Sequence, residues 1–411
     1  MTCIIRSSNR GNREENICMK KYRLLIAASL LLYVFYVSLK NIYSAEIIEI
    51  MQHFGVSKRD ASFATSFSFI SYAAMQLVFS RVIEKINVFY YLLIAVPVGC
   101  GVYCLTTVCT AIWQVWMLFA VGGGLLAGVF PVCMLVISDY LPDSMVITAN
   151  KEMGLGFAMS FVLDYFCASL FLHFADWRLG FWFFAVLLLL STLLFCRVLA
   201  VCPRRERVEQ KPVGYVKNSR KTVYTYIMIM GTIGFLINML YYAIANWIPN
   251  LLSEVFGLYS SLSVFITLII PLTGIIGSVV CLDLCKKNSF WNVILIAVGA
   301  AGLLAILLAG AYKLDVTLTI LLLIILLIIV RGVSHVCGWQ VPIEARKIMD
   351  PVSAAIIINF FSCVGSAAGP PLFGGIIDLS GYLTFFFAAV FAFLILGGVI
   401  AWGRSLLVVS D

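Results

Sequence analysis

The chain has 411 residues, of which 62% are hydrophobic and only 12% are charged, and its mean hydropathy is +1.04. A water-soluble globular domain is about half apolar and about a quarter charged, so this composition excludes that class and indicates a polytopic membrane protein. The formal net charge of +8 comes from lysines and arginines in short segments between apolar runs. It therefore does not indicate a face that binds nucleic acid.

The 13 cysteines do not form a recognisable disulfide or metal framework. Most of them lie inside apolar runs, and no Cys-x-x-Cys pair occurs. Cys100 and Cys104, like Cys281 and Cys285, have the i, i+4 spacing of one helical face. We interpret them as helix-packing residues, and we expect no metal and no cofactor.

The first 22 residues are polar and basic, and they lack the apolar core and small-residue cleavage site of a signal peptide. We interpret them as a cytoplasmic tail. Apolar runs follow, and each has the length of about 20 residues that is needed to cross ~30 Å of hydrocarbon. The predicted spans are 24–50, 61–82, 88–109, 113–138, 145–172, 179–199, 223–249, 260–284, 290–311, 316–341, 351–377 and 382–402.

A basic hydrophilic linker, residues 201–222, separates two apolar halves, 23–200 and 223–411. The halves repeat the same short motifs between apolar runs at an offset of about 200 residues. For example, Phe-Gly-Val at 54–56 corresponds to Phe-Gly-Leu at 256–258. The predicted fold is an all-α integral membrane protein with twelve transmembrane helices in two six-helix pseudo-repeats.

The distribution of positive charge predicts the orientation of the protein. Most of the 28 lysine and arginine residues fall in the N-terminal tail, the linker and the loops on the same side. Loops on the cytoplasmic side are enriched in these residues, so both termini and the linker are predicted to be cytoplasmic. We expect a multi-pass protein of the plasma membrane, most simply a bacterial inner membrane. The basic residues predicted on the outer side are Lys58, Arg59, Arg178 and Lys313.

Twelve spans in two halves joined by a basic cytoplasmic loop resemble the major facilitator superfamily. The superfamily signature Gly-x-x-x-Asp-Arg-x-Gly corresponds to residues 80–87, where Glu84 and Lys85 keep the acid and the base and both glycines are absent. Asp283 stands at the matching place in the second half. The resemblance implies that these three residues form the cytoplasmic gate. The small residues and prolines at 365–378 are similar to the eleventh helix of the superfamily.

Within that superfamily, the layout is most similar to the organophosphate:phosphate antiporters. Their first-helix Arg-Lys-Asn corresponds to Leu-Lys-Asn at 39–41, and their seventh-helix motif corresponds to residues 241–249. The two phosphate-binding arginines of that family fall on the uncharged Leu39 and Tyr241, and its fifth-helix histidine falls near Met153. The resemblance implies the scaffold of that family without its phosphate-binding pair.

Charged side chains within the spans are the strongest candidates for a transport path, because a charge at membrane depth is costly unless it faces water or a partner. Lys40 lies in the first span and is predicted to bind substrate, the alternative being a side chain that snorkels toward the membrane surface or forms an ion pair with Glu46 or Glu49. Arg331 lies in the tenth span and is predicted to line the cavity, the alternative being a structural hydrogen bond. His335 follows Arg331 by four residues and so shares its helical face. We predict that it contacts the substrate or takes up a proton, the alternative being a packed, hydrogen-bonded histidine.

Asp164 is the third charge within a span. We interpret it as a carboxylate that exchanges a proton during transport, the alternative being a counter-ion to one of the two cations. Aromatic side chains are expected to form part of the cavity wall, although most aromatic residues in membrane proteins only pack or anchor at interfaces. The candidates are Tyr33, Tyr36, Tyr241, Tyr242 and Trp339.

Lys40 in one half and Arg331 in the other suit an anion that is bound between two rocking bundles. The sequence therefore predicts a monomeric secondary transporter for a small organic anion, organophosphate-like or carboxylate-like, that works by proton coupling or exchange. No Walker motif indicates ATP as the driver, and no hydrolase or metalloprotease motif indicates an enzyme. Two alternatives stay open: a proton-coupled exporter of amphipathic or cationic compounds that uses Asp164, and a ligand sensor that does not transport.

Overall fold

The structure, a computed structural model, describes residues 2–82, 85–202, 220–345 and 351–407. These residues are helical except for short turns. The helices of the first half are α1 (Thr2–Ala45), α2 (Ile47–Phe54), α3 (Lys58–Val82), α4 (Val88–Leu105), α5 (Ile112–Leu125), α6 (Val129–Tyr140), α7 (Asp143–Phe174) and α8 (Arg178–Val201). Those of the second half are α9 (Arg220–Phe256), α10 (Ser260–Ile266), α11 (Ile269–Lys287), α12 (Phe290–Ala311), α13 (Val316–Ala345) and α14 (Pro351–Leu407).

Within the described ranges, 11 helical segments are long and apolar enough to cross a membrane. The last of them, Ala354–Leu407, has 54 residues, far more than one crossing requires. Its helical path breaks at Gly381, where φ is 77° and ψ is −178°, a conformation that glycine adopts readily. This segment therefore supplies two spans, and the predicted all-α architecture with twelve spans is confirmed.

The repeat that the sequence indicated is also visible in the backbone. Gly55 follows the end of α2 with a φ of 62°, and Gly257 follows the end of α9 with a φ of 66°. A left-handed residue after the last helical turn is a common helix terminus, and glycine takes it without a steric penalty. The two halves thus end corresponding helices in the same way.

Small residues set the distance between packed helices in each half. In the first half α1 packs on α7 and α8, and in the second half α9 packs on α14 and α11 packs on α13. Where α11 meets α13, Gly277 lies directly against the carbonyl oxygen of Ile328. A Cβ added to Gly332 would lie 2.6 Å from the carbonyl oxygen of Gly277. The two backbones are in contact, as small residues allow in membrane proteins.

The two halves meet along a continuous seam between α3 and α14. The Ser66 hydroxyl donates a hydrogen bond to the Ala367 carbonyl oxygen at 2.6 Å. Farther along the same helices, the Asn359 side-chain amide donates to the Gln76 side-chain oxygen at 2.6 Å. Hydrogen bonds between helices thus hold this side of the molecule closed over much of its length.

Charged groups close one end of the same seam, which we term the Lys58 end. The Lys58 ammonium lies 2.8 Å from Glu254 on α9 and 3.8 Å from Asp378 on α14. The Asp378 carboxylate also accepts hydrogen bonds from the backbone N–H groups of Lys58, at 3.4 Å, and Arg59, at 3.0 Å. An acid from the second half therefore caps the N-terminus of a first-half helix, where negative charge is favourable.

The second interface between the halves is formed by α7 with α10 and α11. At the Lys58 end it has a hydrogen bond beside a surface pocket of about 630 Å³. There the Ser169 hydroxyl donates to the carbonyl oxygen of Ser261 at 3.0 Å. Toward the opposite end, where α11 finishes at Lys287, a crevice of about 620 Å³ lies between α7 and α11. We call it the α7–α11 crevice. The two sides of the molecule are therefore sealed to different extents.

Gly277→Ala is expected to destabilise the protein by about 1–3 kcal/mol, because the added methyl group has no room against the α13 backbone. The matched control is Gly299→Ala on α12, where no atom lies within 4 Å of the added Cβ. Thermal unfolding of the purified variants checks this expectation. Equal melting temperatures for the two variants would contradict it.

Asp378→Asn is expected to lower the unfolding free energy by about 1–2 kcal/mol, since the carboxylate serves both an ion pair and a helix N-terminus. Asp283→Asn is the control, because Asp283 pairs with Lys286 on the same helix and both side chains are largely exposed, at 59% and 75%. Its effect should be less than half as large. Comparable losses of thermal stability in both variants would show that Asp378 does not join the halves.

Candidate functional site

A cavity of about 320 Å³ lies between the two halves. Its walls come from α1, α3, α6 and α7 on one side and from α9, α13 and α14 on the other. The described lining residues are Tyr33, Tyr36, Val37, Lys40, Asn41, Phe69, Tyr72, Gln76, Phe130 and Phe157 from the first half, and Asn238, Tyr242, Arg331, Asn359, Ser362, Cys363 and Ser366 from the second. This lining contains two cations and no carboxylate, so the cavity is electropositive.

Lys40 reaches this cavity from α1 and rests on aromatic rings. Its ammonium nitrogen lies 4.2 Å from the centroid of Phe69 and 4.3 Å from that of Tyr72. Such desolvated cation–π contacts contribute about 2 kcal/mol or more, which offsets part of the cost of a charge at this depth. Within the described residues no ion pair joins Lys40 to Glu46 or Glu49. The alternative in which these acids neutralise Lys40 is therefore wrong for this structure.

Arg331 faces Lys40 across the cavity and is held in a similar way. Its side chain is only 8% exposed, and its guanidinium carbon lies 4.5 Å from the ring centroid of Tyr241 and 5.6 Å from that of Phe157. Gly274 on α11 leaves room for it, because a Cβ there would lie 3.2 Å from Cγ of Arg331. No described carboxylate is within ion-pair distance of the guanidinium, so its charge is available to a ligand.

The structure divides the predicted substrate-binding residues between two neighbouring spaces. Tyr36 and Tyr242 line the cavity together with the two cations. His335 and Tyr241 line the α7–α11 crevice instead, and Arg331 borders both spaces. The i, i+4 spacing placed His335 correctly on the face of Arg331. The spacing did not show that His335 lies outside the cavity that Arg331 shares with Lys40.

Asp164 is buried in the first half, at 1% exposure, and does not line the cavity or the crevice. Neither of its carboxylate oxygens has a hydrogen-bond partner among the described residues. It forms no ion pair with Lys40 or Arg331 there, so the counter-ion alternative is wrong for this structure. The carbonyl oxygen of Ser160, one turn before Asp164 on α7, accepts a hydrogen bond from the Ser38 hydroxyl of α1 at 3.3 Å.

Glu46 is a second buried acid of the same kind. It stands at the break between α1 and α2, with 0% exposure and no hydrogen-bond partner for either carboxylate oxygen in the described structure. Gly180 makes space for it, since a Cβ at that position would lie 2.6 Å from Oε1. From the sequence alone, Glu46 is expected only as a partner for Lys40. A carboxylate near the end of a long apolar run was the available signal.

The predicted gate residues do not contact one another in the described part of the chain. Glu84 lies outside the described residues. Lys85 is exposed, and Asp283 pairs at 2.7 Å with Lys286 one turn away on the same helix. Both members of this pair are largely exposed. No described contact joins Lys85 to Asp283, so their common role as a gate stays a prediction.

Several cavity residues were not foreseen from the sequence. Gln76 and Asn359 join the two halves at the cavity wall. Asn238 is 8% exposed, accepts a hydrogen bond from the Ser334 hydroxyl at 3.0 Å and donates to the Gly234 carbonyl oxygen at 2.9 Å. Amide side chains inside apolar spans were the signal that could have identified them, because such groups need a polar partner.

Comparisons with known proteins agree with this architecture. The sequence matches the Major Facilitator Superfamily over residues 26–345. A sequence search of curated proteins gave no match. Among solved structures, a bacterial homologue of the human lysosomal transporter Spinster in an inward-facing, unoccupied conformation has a TM-score of 0.75 and 11% identity, covering 94% of this chain and 97% of that one. Its inward-facing, occupied conformation has a TM-score of 0.75 and 13% identity, with 92% and 96% covered.

A mutant of the nucleoside transporter NupG is also similar, with a TM-score of 0.71, 12% identity, and coverage of 93% of this chain and 99% of that one. At these identities the structural likeness shows the fold alone, and it supports no subfamily within the superfamily. The family match, in contrast, spans most of the two halves and the linker between them. On this evidence the chain belongs to the Major Facilitator Superfamily of membrane transporters.

Proposed function

We propose that the protein is a secondary transporter that moves a small organic anion across the membrane by alternating access. One observation carries the proposal: the cavity between the halves contains Lys40 and Arg331 and no described carboxylate. Two cations on opposite walls can hold an organophosphate or carboxylate through charge-assisted hydrogen bonds. In the alternative, acids of the protein would neutralise both cations, but no ion pair of Lys40 or Arg331 occurs among the described residues.

The aromatic faces beneath the two cations favour reversible binding. A cation that rests on a ring keeps its N–H donors for a ligand. When the ligand leaves, the ring still stabilises the charge, so the empty cavity does not contain an unsatisfied ion at membrane depth. A transporter needs both the loaded and the empty cavity to be accessible states, and this arrangement serves that need.

Alternating access in this proposal uses the two interfaces between the halves. With residues 23–200 and 223–411 as the moving bundles and the linker in the cytoplasm, the Lys58 end faces outward. In this structure ion pairs link the halves at that end, and the opposite end has the α7–α11 crevice. Transport would require the Lys58 contacts to break as the inner side closes. We place the protein in the plasma membrane with both termini in the cytoplasm.

Asp164 is the proposed proton carrier. It is buried, and neither of its carboxylate oxygens has a hydrogen-bond partner among the described residues. Ionisable side chains at membrane depth are typical of proton relays in transporters. A conformational change that admits water would favour release of the proton. The same observation favours one second candidate, a proton-coupled exporter of amphipathic cations. The two cations in the cavity argue for the anion.

Arg331→Ala is expected to weaken anion binding by at least about tenfold while the protein still folds, since one charged group contributes about 1.5–3 kcal/mol to a hydrogen-bonded ligand. Lys40→Ala should act in the same direction. The measurement is a thermal-shift screen of purified protein against phosphorylated sugars, carboxylates and lipophilic cations.

The matched control is Lys313→Ala, which removes a cation that also lies over an aromatic ring, at 5.6 Å from Tyr312, and does not line the cavity. It should leave ligand stabilisation unchanged. Stabilisation by lipophilic cations alone, indifferent to Arg331, would overturn the anion proposal in favour of export. Specific anion binding without flux in proteoliposomes would identify a sensor.

Asp164→Asn is expected to make anion flux independent of a pH gradient, because an amide cannot carry the proton. Flux into proteoliposomes with and without an imposed gradient measures this dependence. The control is Asp176→Asn, which removes an exposed acid from the same half. A pH dependence that survives in Asp164→Asn would rule out this residue as the proton carrier.

A further inference from the structure

The α7–α11 crevice differs from the cavity in its chemistry. It has about twice the volume, about 620 Å³ against 320 Å³, which is within the usual range of ligand sites. Most of its wall is aliphatic or aromatic and comes from α7 and α11. Its charged lining residues are Lys151 and Arg331. A ligand that filled it would therefore be mainly apolar.

The crevice faces the hydrocarbon region. Leu155 on α7 is 53% exposed and Val279 on α11 is 56% exposed, and both line it. Each residue lies inside a membrane-spanning segment, 148–174 or 260–287. On the other side of the molecule, the hydrogen bond from Asn359 to Gln76 closes the corresponding interface. The crevice thus offers a ligand with an apolar part a lateral route between the halves.

Arg331 lies at the boundary between the crevice and the cavity, because its side chain borders both. Phe157 borders both as well. A ligand bound to the guanidinium could therefore extend in two directions, toward Lys40 in the electropositive cavity or along the apolar crevice. The charged group of an anion belongs in the first space and a hydrocarbon chain belongs in the second.

We propose that the transported anion is amphipathic, with its charged group between Lys40 and Arg331 and a single apolar chain in the α7–α11 crevice, which it enters from the bilayer. This inference rests on the proposed function, because it assumes that the two cations hold an anion. It goes further by stating the substrate class and the route of entry. An acyl chain of a bilayer lipid is the competing occupant of the crevice.

The test measures the affinity of n-alkyl phosphates, from ethyl to dodecyl, for the protein in nanodiscs of zwitterionic lipid. Burial of each additional methylene contributes about 0.8 kcal/mol, so affinity should rise up to about fourfold per methylene until the crevice is full. Ethyl phosphate, which has no chain to bury, should bind weakly and only when Arg331 is present. Partitioning of the chain into the lipid gives the same trend, so the crevice variant described next decides between the two. A lipid that occupied the crevice would make that variant equal to the native protein at every chain length and overturn the inference.

Gly154→Leu is the specific variant. Gly154 lines the crevice and no atom lies within 4 Å of an added Cβ, so the leucine side chain would occupy space that the ligand chain needs. The expected result is a loss of at least about tenfold in affinity for dodecyl phosphate and no change for ethyl phosphate. Gly299→Leu, at an equally open glycine on α12, should change neither affinity.

The outcomes separate this inference from the proposed function. If no alkyl phosphate binds, or if binding survives Arg331→Ala, the proposed function fails and this inference fails with it. If ethyl phosphate binds through Arg331 but Gly154→Leu does not weaken the binding of dodecyl phosphate, only the crevice inference fails. Ala158 also lines the crevice. Ala158→Leu replaces Gly154→Leu in these measurements if Gly154→Leu does not give folded protein.

Discussion

The placement of two positive charges at membrane depth, without an acidic partner in the part of the chain that the structure describes, is the constraint on which the rest of the structure depends. A charged side chain in the middle of a helix within the bilayer costs about 2.5–3.5 kcal/mol on insertion scales. Aromatic faces reduce this cost for both cations: Phe69 and Tyr72 for Lys40, Tyr241 and Phe157 for Arg331. Carboxylates in place of these rings would have neutralised both charges, which the proposed binding of an anion requires.

Close packing elsewhere keeps these charges in position. Gly277 and Gly332 bring α11 and α13 into backbone contact, and Gly274 leaves space for the Arg331 side chain next to that contact. Larger residues would separate the two helices and shift the guanidinium from the boundary between cavity and crevice. The small residues of the second half therefore have a functional consequence through the single arginine that they position.

The two interfaces between the halves determine access to the charges. Hydrogen bonds along α3 and α14, and the ion pairs of Lys58 at one end, hold one side of the molecule closed. The α7 and α11 side opens toward the other end and exposes an apolar surface to the hydrocarbon region. A polar cavity next to a lateral apolar opening is an arrangement that distinguishes ligands by their amphipathic character as well as by their charge.

The sequence by itself determined the fold class, the twelve spans and the internal repeat, because the bilayer fixes the length of an apolar run and hydropathy is a local property of the chain. It also identified Lys40, Arg331 and Asp164, since a charge within an apolar run is visible without a structure. Only the tertiary structure decided that Lys40 and Arg331 share one cavity, that Asp164 stands apart from it, and that His335 lies in a different space from Lys40. These outcomes depend on the rotation and contact of helices that are distant in sequence, and the packing of the whole bundle fixes both.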